Sequence, residues 1–143
     1  MSNLSRFLKQ NKTIKKNEKY APTASLLGED GKPLEWEFKP ITSKQNEELR
    51  ENCTVDVQVT GKPNMFRQKL KTSRYLAEMI VASTVVPNLY NKELQESYEV
   101  KTPVDLLYAL VDNPGEFTEL EAWIQKFNGF DQTIEDKVEE AKN

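Results

Sequence analysis

The chain reads as an α+β protein, predominantly helical, with an N-terminal β-hairpin region packed beside a C-terminal helical bundle. Three observations predict this. The stretch Leu70 to Tyr90, LKTSRYLAEMIVASTVVPNLY, carries apolar residues at helical spacing around most of a cylinder, which is the signature of a buried helix. Asp30-Gly31 precedes, and Gly61-Lys62-Pro63-Asn64 follows, a run that alternates apolar and polar residues, as hairpin turns do. Thr102-Pro103 and Asn113-Pro114 then open two amphipathic segments, each with a capping side chain followed by a proline suited to the first helical position.

Residues 1–20 form a basic arm, a candidate mobile segment, ahead of a single domain over 21–143. Leu4, Phe7 and Leu8 make an apolar patch at i, i+3, i+4, and Lys9, Lys12, Lys15, Lys16 and Lys19 follow against one acid, Glu18. No aromatic side chain interleaves those lysines to stack on bases. A solvated tail whose first turn docks on the domain or on a partner is therefore expected ahead of a nucleic-acid or membrane arm.

The hairpin part of the domain spans 21–69. Thr23–Leu27 is expected as one strand and Leu34–Phe38 as its return, with the turn at Gly28–Pro33. Leu34, Trp36 and Phe38 alternate with charged residues, so one face of that strand should be buried. Lys32 is followed by proline and no GxxxxGK[ST] spacing exists, so the glycines mark a turn and not a phosphate cradle. Thr42 and Gln45 form a capping box for a helix to Asn52. Its Glu47, Glu48 and Glu51 read as a solvated face, since no further ligands accompany them in sequence. Val55, Val57 and Val59 alternate with polar residues and can pair with Met65–Lys69 across the second turn, although that segment reads equally as an extended, basic connection.

The helical part spans 70–143. Its first helix should be capped by Thr72 or Ser73 and ended by Pro87, with Tyr75, Leu76, Met79, Ile80, Val81, Ala82, Val85 and Val86 apolar along it. A short helix follows near Lys92–Tyr98. Thr102 caps Pro103–Val111, with Val104, Leu107, Tyr108 and Val111 on one face. Asn113 caps the next helix, whose stripe is Phe117, Leu120, Ile124 and Phe127 with Trp123 beside it, and Gly129 stops it. Asp131 is the expected cap of a final helix bearing Ile134, Val138 and Ala141. These aromatic stripes read as core, because burying such side chains stabilises by about 1.5–3 kcal/mol each.

Composition narrows the function. The chain has 143 residues, enough for a core without staples, and a net charge of −3 with 30% charged residues, which gives no global attraction to nucleic acid or anionic membrane. Cys53 is the single cysteine, so no internal disulfide forms and a reducing compartment is expected. No apolar run is long enough to span a bilayer and no secretory signal opens the chain, so a cytoplasmic location is expected. There is no histidine. That removes the usual general base near neutral pH and the commonest metal ligand, and with them triads, zinc fingers and histidine-based metalloproteases in their usual forms. No enzyme activity, cofactor or metal is expected.

Several blocks carry a family resemblance through their order and spacing: Val86-Pro87-Asn88-Leu89, Lys92-Glu93-Leu94-Gln95-Glu96-Ser97-Tyr98, Asn113-Pro114-Gly115-Glu116-Phe117 and Phe127-Asn128-Gly129-Phe130-Asp131. Leu4-Ser5-Arg6-Phe7-Leu8, Gly31-Lys32-Pro33-Leu34-Glu35-Trp36-Glu37, Leu49-Arg50 and Cys53 agree in the N-terminal half. The chain resembles the XkdN-like tail assembly chaperones of Bacillus-type phages and defective prophages. One departure is Glu99, where the family more often has glycine. The resemblance implies a small, non-enzymatic cytoplasmic protein that binds the tape measure protein and keeps it soluble while tube subunits assemble, and that is absent from the mature virion. The tail tube protein is a further candidate partner, and self-association is left open. The alternatives are a structural tail component, found in particles, and a nucleic-acid-binding regulator using the lysine arm. A holdase needs exposed apolar surface. Leu4, Phe7 and Leu8 in the arm, with Phe127 and Phe130 at the other end of the chain, are the partner-binding candidates.

Overall fold

The computed structural model describes residues 3–131. In chain order these residues form β1 (Glu18–Tyr20), β2 (Trp36–Phe38), α1 (Ser43–Asn52), β3 (Thr54–Gln58), β4 (Phe66–Leu70), α2 (Thr72–Ser83), β5 (Thr84–Val86), α3 (Lys92–Ser97), α4 (Pro103–Leu110) and α5 (Pro114–Phe127). Two short 3-10 turns, Asn3–Phe7 and Lys9–Asn11, precede β1. The architecture is mixed α and β, with two small antiparallel sheets. The expected helix from Asp131 onward lies outside the described residues.

Helix α2 is the centre of the core. Tyr75, Leu76, Ala77, Met79, Ile80, Val81 and Ser83 are all buried, because α1, α4 and α5 pack around it. Neither expected cap acts at its start: Lys71 occupies the cap position without a side-chain bond, and Thr72 and Ser73 are already helical. The helix also ends before Pro87. Its last residue is Ser83, and Thr84–Val86 leave it as strand β5 with Val85 and Val86 exposed. The three β-branched residues Thr84, Val85 and Val86 favour extended backbone, and β2 offers them a ladder. The Val86–Pro87 peptide is cis.

The first sheet has the order β1-β2-β5. Trp36–Phe38 is its central strand, paired antiparallel with Glu18–Tyr20 on one side and with Thr84–Val86 on the other. The expected partner, Thr23–Leu27, does not form a strand, and the turn at Gly28–Pro33 is held instead by a single bridge from Leu27 to Pro33. Strand β1 therefore lies within residues 1–20, and that segment supplies the outer strand of the sheet. Trp36 and Phe38 are buried as their alternation predicts, while Leu34 stays 46% exposed outside the ladder.

The second sheet is a two-stranded ribbon, β3 with β4, in the register Thr54↔Leu70 through Gln58↔Phe66. A bond from Lys71 N to Cys53 O closes its base.

Local signals place the helices. The Thr42–Gln45 capping box is complete, and Asn91, Thr102 and Asn113 each accept a backbone N–H at the starts of α3, α4 and α5. In α4 the buried face is Leu106, Leu107 and Leu110, with Val111 just beyond, whereas Tyr108 is 44% exposed and stacks on Phe117 at 4.5 Å. In α5 the expected stripe of Phe117, Leu120, Ile124 and Phe127 is buried throughout. Gly129 follows at φ +92°, a backbone state that costs other residues.

Candidate interaction surfaces

At its root the arm is fastened to the domain through aromatic chemistry. Tyr20 of β1 stacks on Trp123 with 4.6 Å between ring centroids, and Trp123 stacks on Phe127 at 4.9 Å. Lys15 completes the pile: its ammonium lies 4.5 Å from the centroid of Phe127 and donates to the Phe127 carbonyl. A lysine over a ring face is attracted by the ring quadrupole. Asn17 adds a bond of 3.1 Å to the carboxylate of Glu37. Burial pushes the Tyr20 phenol above its ordinary range, and the neighbouring charges of Glu119 and then Glu116 add to that.

Outward of Lys15 the segment changes character. The 3-10 turn Asn3–Phe7 buries none of its residues. Leu4 is 68% exposed, Phe7 83% and Leu8 44%, and Ile14 lies beyond them at 78%. Cations Arg6, Lys9 and Lys12 interleave this apolar surface.

The structure therefore separates the five nominated residues. Leu4, Phe7 and Leu8 are in solvent. Phe127 is in the core at 4% exposure, because it faces inward from the last turn of α5 and Lys15 lies on its ring. Phe130 packs half-buried against the same core. What the structure does join is the root of the arm and Phe127, through Lys15.

Two polar residues, named in sequence only within the blocks of the family resemblance, tie distant segments together here. Glu116 opens α5, and its two carboxylate oxygens accept from Thr23 Oγ1 and Ala24 N, both at 2.8 Å. Asn128 caps the other end. Its Oδ1 accepts from Ile41 N at 2.9 Å, and its Nδ2 donates to Ser83 Oγ and Ile124 O at 3.1 Å each. Both residues fall inside the motifs of the family resemblance, so their order and spacing were the available signal.

Cys53 is fully buried in the core. Burial pushes its thiol up, Arg74 opposes that and Glu78 reinforces it, so at neutral pH it is a packing group in protonated form. Among the described residues no cluster of histidine, cysteine and carboxylate side chains could hold a metal ion, and no helix is long and apolar enough to cross a membrane. The clefts are open. One, about 510 Å³, is lined by Lys92, Gln95, Glu96, Glu99, Val100 and Lys101. Gln95 is committed there to the Leu89 carbonyl at 2.8 Å.

Comparison with known proteins places this arrangement. The protein YqbN of Bacillus subtilis (strain 168) is 31% identical over 141 residues, covering 96% of this chain and 91% of the relative. The phage-like element PBSX protein XkdN of the same organism is 30% identical over 141 residues, covering 96% and 92%. The crystal structure of YqbN superposes with a TM-score of 0.74 over 92% of this chain and 99% of that one, at 24% identity, so the fold is shared. The family model for the phage XkdN-like tail assembly chaperone protein matches residues 4–142. With the match spanning the arm, both sheets and all the described helices, the chain belongs to the phage XkdN-like tail assembly chaperone family.

Proposed function

We propose that this protein binds the tape measure protein and keeps it soluble in the bacterial cytoplasm while the tail tube is built around it. It acts without catalysis and leaves before the particle is complete. The observation that carries this is the arm: Leu4 and Phe7 are exposed on a turn that buries nothing and Leu8 is exposed just after it, in a chain of tail assembly chaperone descent. Isolated exposed apolar residues are ordinary, but a cluster of them beside cations is a surface for a partner's apolar stripe. In this reading Phe127 serves as the seat that holds Lys15 and so aims the arm, and Phe130 lies at the edge of the same surface. Contacts of so few side chains keep the complex exchangeable, since affinity differences of this kind act mostly on the dissociation rate.

The test is co-expression with the tape measure protein encoded downstream, followed by affinity capture and light-scattering mass of the eluate. A soluble complex is expected where the tape measure protein alone is insoluble, and Leu4, Phe7 and Leu8 changed together to alanine should abolish capture. An insoluble tape measure protein with nothing co-eluting would remove the holdase reading. Detection of the chain in purified particles would favour a structural tail component.

A further inference from the structure

The ribbon of β3 and β4 is the part of the fold least accounted for by the core. Its register places Val55 opposite Lys69 and Val57 opposite Arg67, and the bond from Val59 N to Met65 O carries the same pairing one step further. Cross-strand partners share a face, and side chains alternate faces along a strand. One face therefore carries three valines in a row, flanked by Met65, Arg67 and Lys69. The Thr54–Leu70, Asp56–Gln68 and Gln58–Phe66 pairs belong to the other face, where Phe66 is 65% exposed, and Thr54 and Gln68 meet α1 there in a cleft shared with Glu47, Arg50 and Glu51.

Leu70 packs against the core, but none of the three valines does. An isolated two-stranded ribbon is marginally stable in water and ordinarily needs a third strand or a helix on its apolar face. Among the described residues the ribbon has two strands only, and its three valines are half-buried outside the core.

Charge selects the occupant. On the ribbon this face carries two cations and no carboxylate, so a second ribbon laid face to face would oppose Arg67 and Lys69 to themselves. Length selects its form. From Val55 to Val59 a strand advances about 13 Å, which a helix covers in roughly nine residues, or two to three turns. We propose that the valine face of the ribbon docks an amphipathic helix of a partner protein, with its apolar stripe on Val55, Val57 and Val59 and its flanking acidic side chains on Arg67 and Lys69. This site stands on the ribbon alone and does not depend on the identity of the tape measure protein as client.

The probe is a fluorescein-labelled synthetic helix of about 18 residues, with leucines at i, i+3, i+4 and i+7 spacing flanked by glutamates. Its control carries lysine at every glutamate. Titrated with the full chain, the acidic peptide should bind and the lysine peptide should not. Arg67→Glu with Lys69→Glu should weaken the acidic peptide at least about tenfold and let the lysine peptide bind, as reversal of a complementary charge pair requires. Val57→Thr, which keeps strand propensity, should weaken the acidic peptide, whereas Lys92→Glu with Lys101→Glu, the same charge change elsewhere, should leave its binding intact. Equal binding of the two peptides overturns the proposal, as does indifference to the ribbon substitutions. A mass by light scattering that doubles with concentration and returns to monomer in Val57→Thr would also overturn it, in favour of a second copy. Failure to solubilise the tape measure protein would remove the proposed function and leave this result unaffected.

Discussion

Asn128 donates to the buried hydroxyl of Ser83 across 3.1 Å, joining the end of α5 to the end of α2. The same side chain accepts from Ile41 N, so one amide fastens two helices and the segment leading into α1. Removing it leaves a fully buried hydroxyl and a backbone N–H without these bonds, and such groups cost about 1–3 kcal/mol each. Asn128→Ala should therefore destabilise the protein by about 2–4 kcal/mol in urea unfolding. Ser83→Ala should cost less, and the double variant should fall short of the sum, because the two side chains share a bond.

Glu99 occupies φ +57° immediately after α3, where Glu99 N bonds Glu96 O and Val100 N bonds Gln95 O. This is the left-handed helix stop that glycine fills at least cost. Glu99→Gly should stabilise the protein by about 0.5–1 kcal/mol, the usual gain from relieving a side chain in that backbone region net of added unfolded-state entropy. An unchanged or lowered midpoint would mean that Glu99 makes a contact worth more than its strain.

Exposed arm residues should contribute nothing to stability. Alanine at Leu4, Phe7 and Leu8 should leave the unfolding free energy within about 0.5 kcal/mol, as surface changes do, which makes loss of client capture interpretable as lost contact. Lys15→Ala should behave differently. It removes the cation from the Phe127 ring and a bond to its carbonyl, and should raise hydrogen exchange in β1 before it changes global stability.

Stability should decline on the alkaline side. Burial raises Tyr75, Tyr20, Tyr108 and Cys53 above their ordinary values of 10.0 for tyrosine and 9.0 for cysteine. The native state therefore holds these protons to higher pH than the unfolded chain, and the unfolded chain binds fewer protons there. With that sign, stability from these groups is complete below the ordinary values and is lost as pH rises from about 9 through the raised ones. Urea midpoints should be flat between pH 7 and about 8.5 and fall above it. Tyr75→Phe should flatten part of the fall, since it removes one of the titrating groups along with its bond to Asn46.

Local chemistry was readable in the sequence and remote pairing was not. The Thr42–Gln45 box, the Thr102 and Asn113 caps and the Gly129 stop all stand where expected, because each needs only residues within one turn. Strand β3 of the ribbon was legible from its alternating valines, whereas Met65–Lys69, which has no such alternation, read equally as a basic connection, and only its pairing with β3 makes it a strand. Strand β5 was hidden because Thr84–Val86 prolongs the apolar run of α2, and only β2, far upstream, makes it a strand. Strand β1 was hidden by its composition: Glu18-Lys19-Tyr20 has no apolar alternation, and its partner Trp36–Phe38 lies beyond a turn that looked self-contained. Of the candidate surface, the exposure of Leu4 and Phe7 followed from their position in a basic tail. The burial of Phe127 followed from a helical stripe that was itself visible, and its contact with Lys15 did not.

Because β2 is the middle strand, with one neighbour from before it and the other from after α2, residues 18–86 form a circuit whose two ends flank the same strand. A cut between the strand-rich and helix-rich stretches of the chain would strand β5 without its ladder and uncover Phe38 against the aromatic pile. The two stretches share one sheet and should unfold together, so a truncated product starting at residue 70 is expected to be a substrate for proteases and not a smaller working version of the protein.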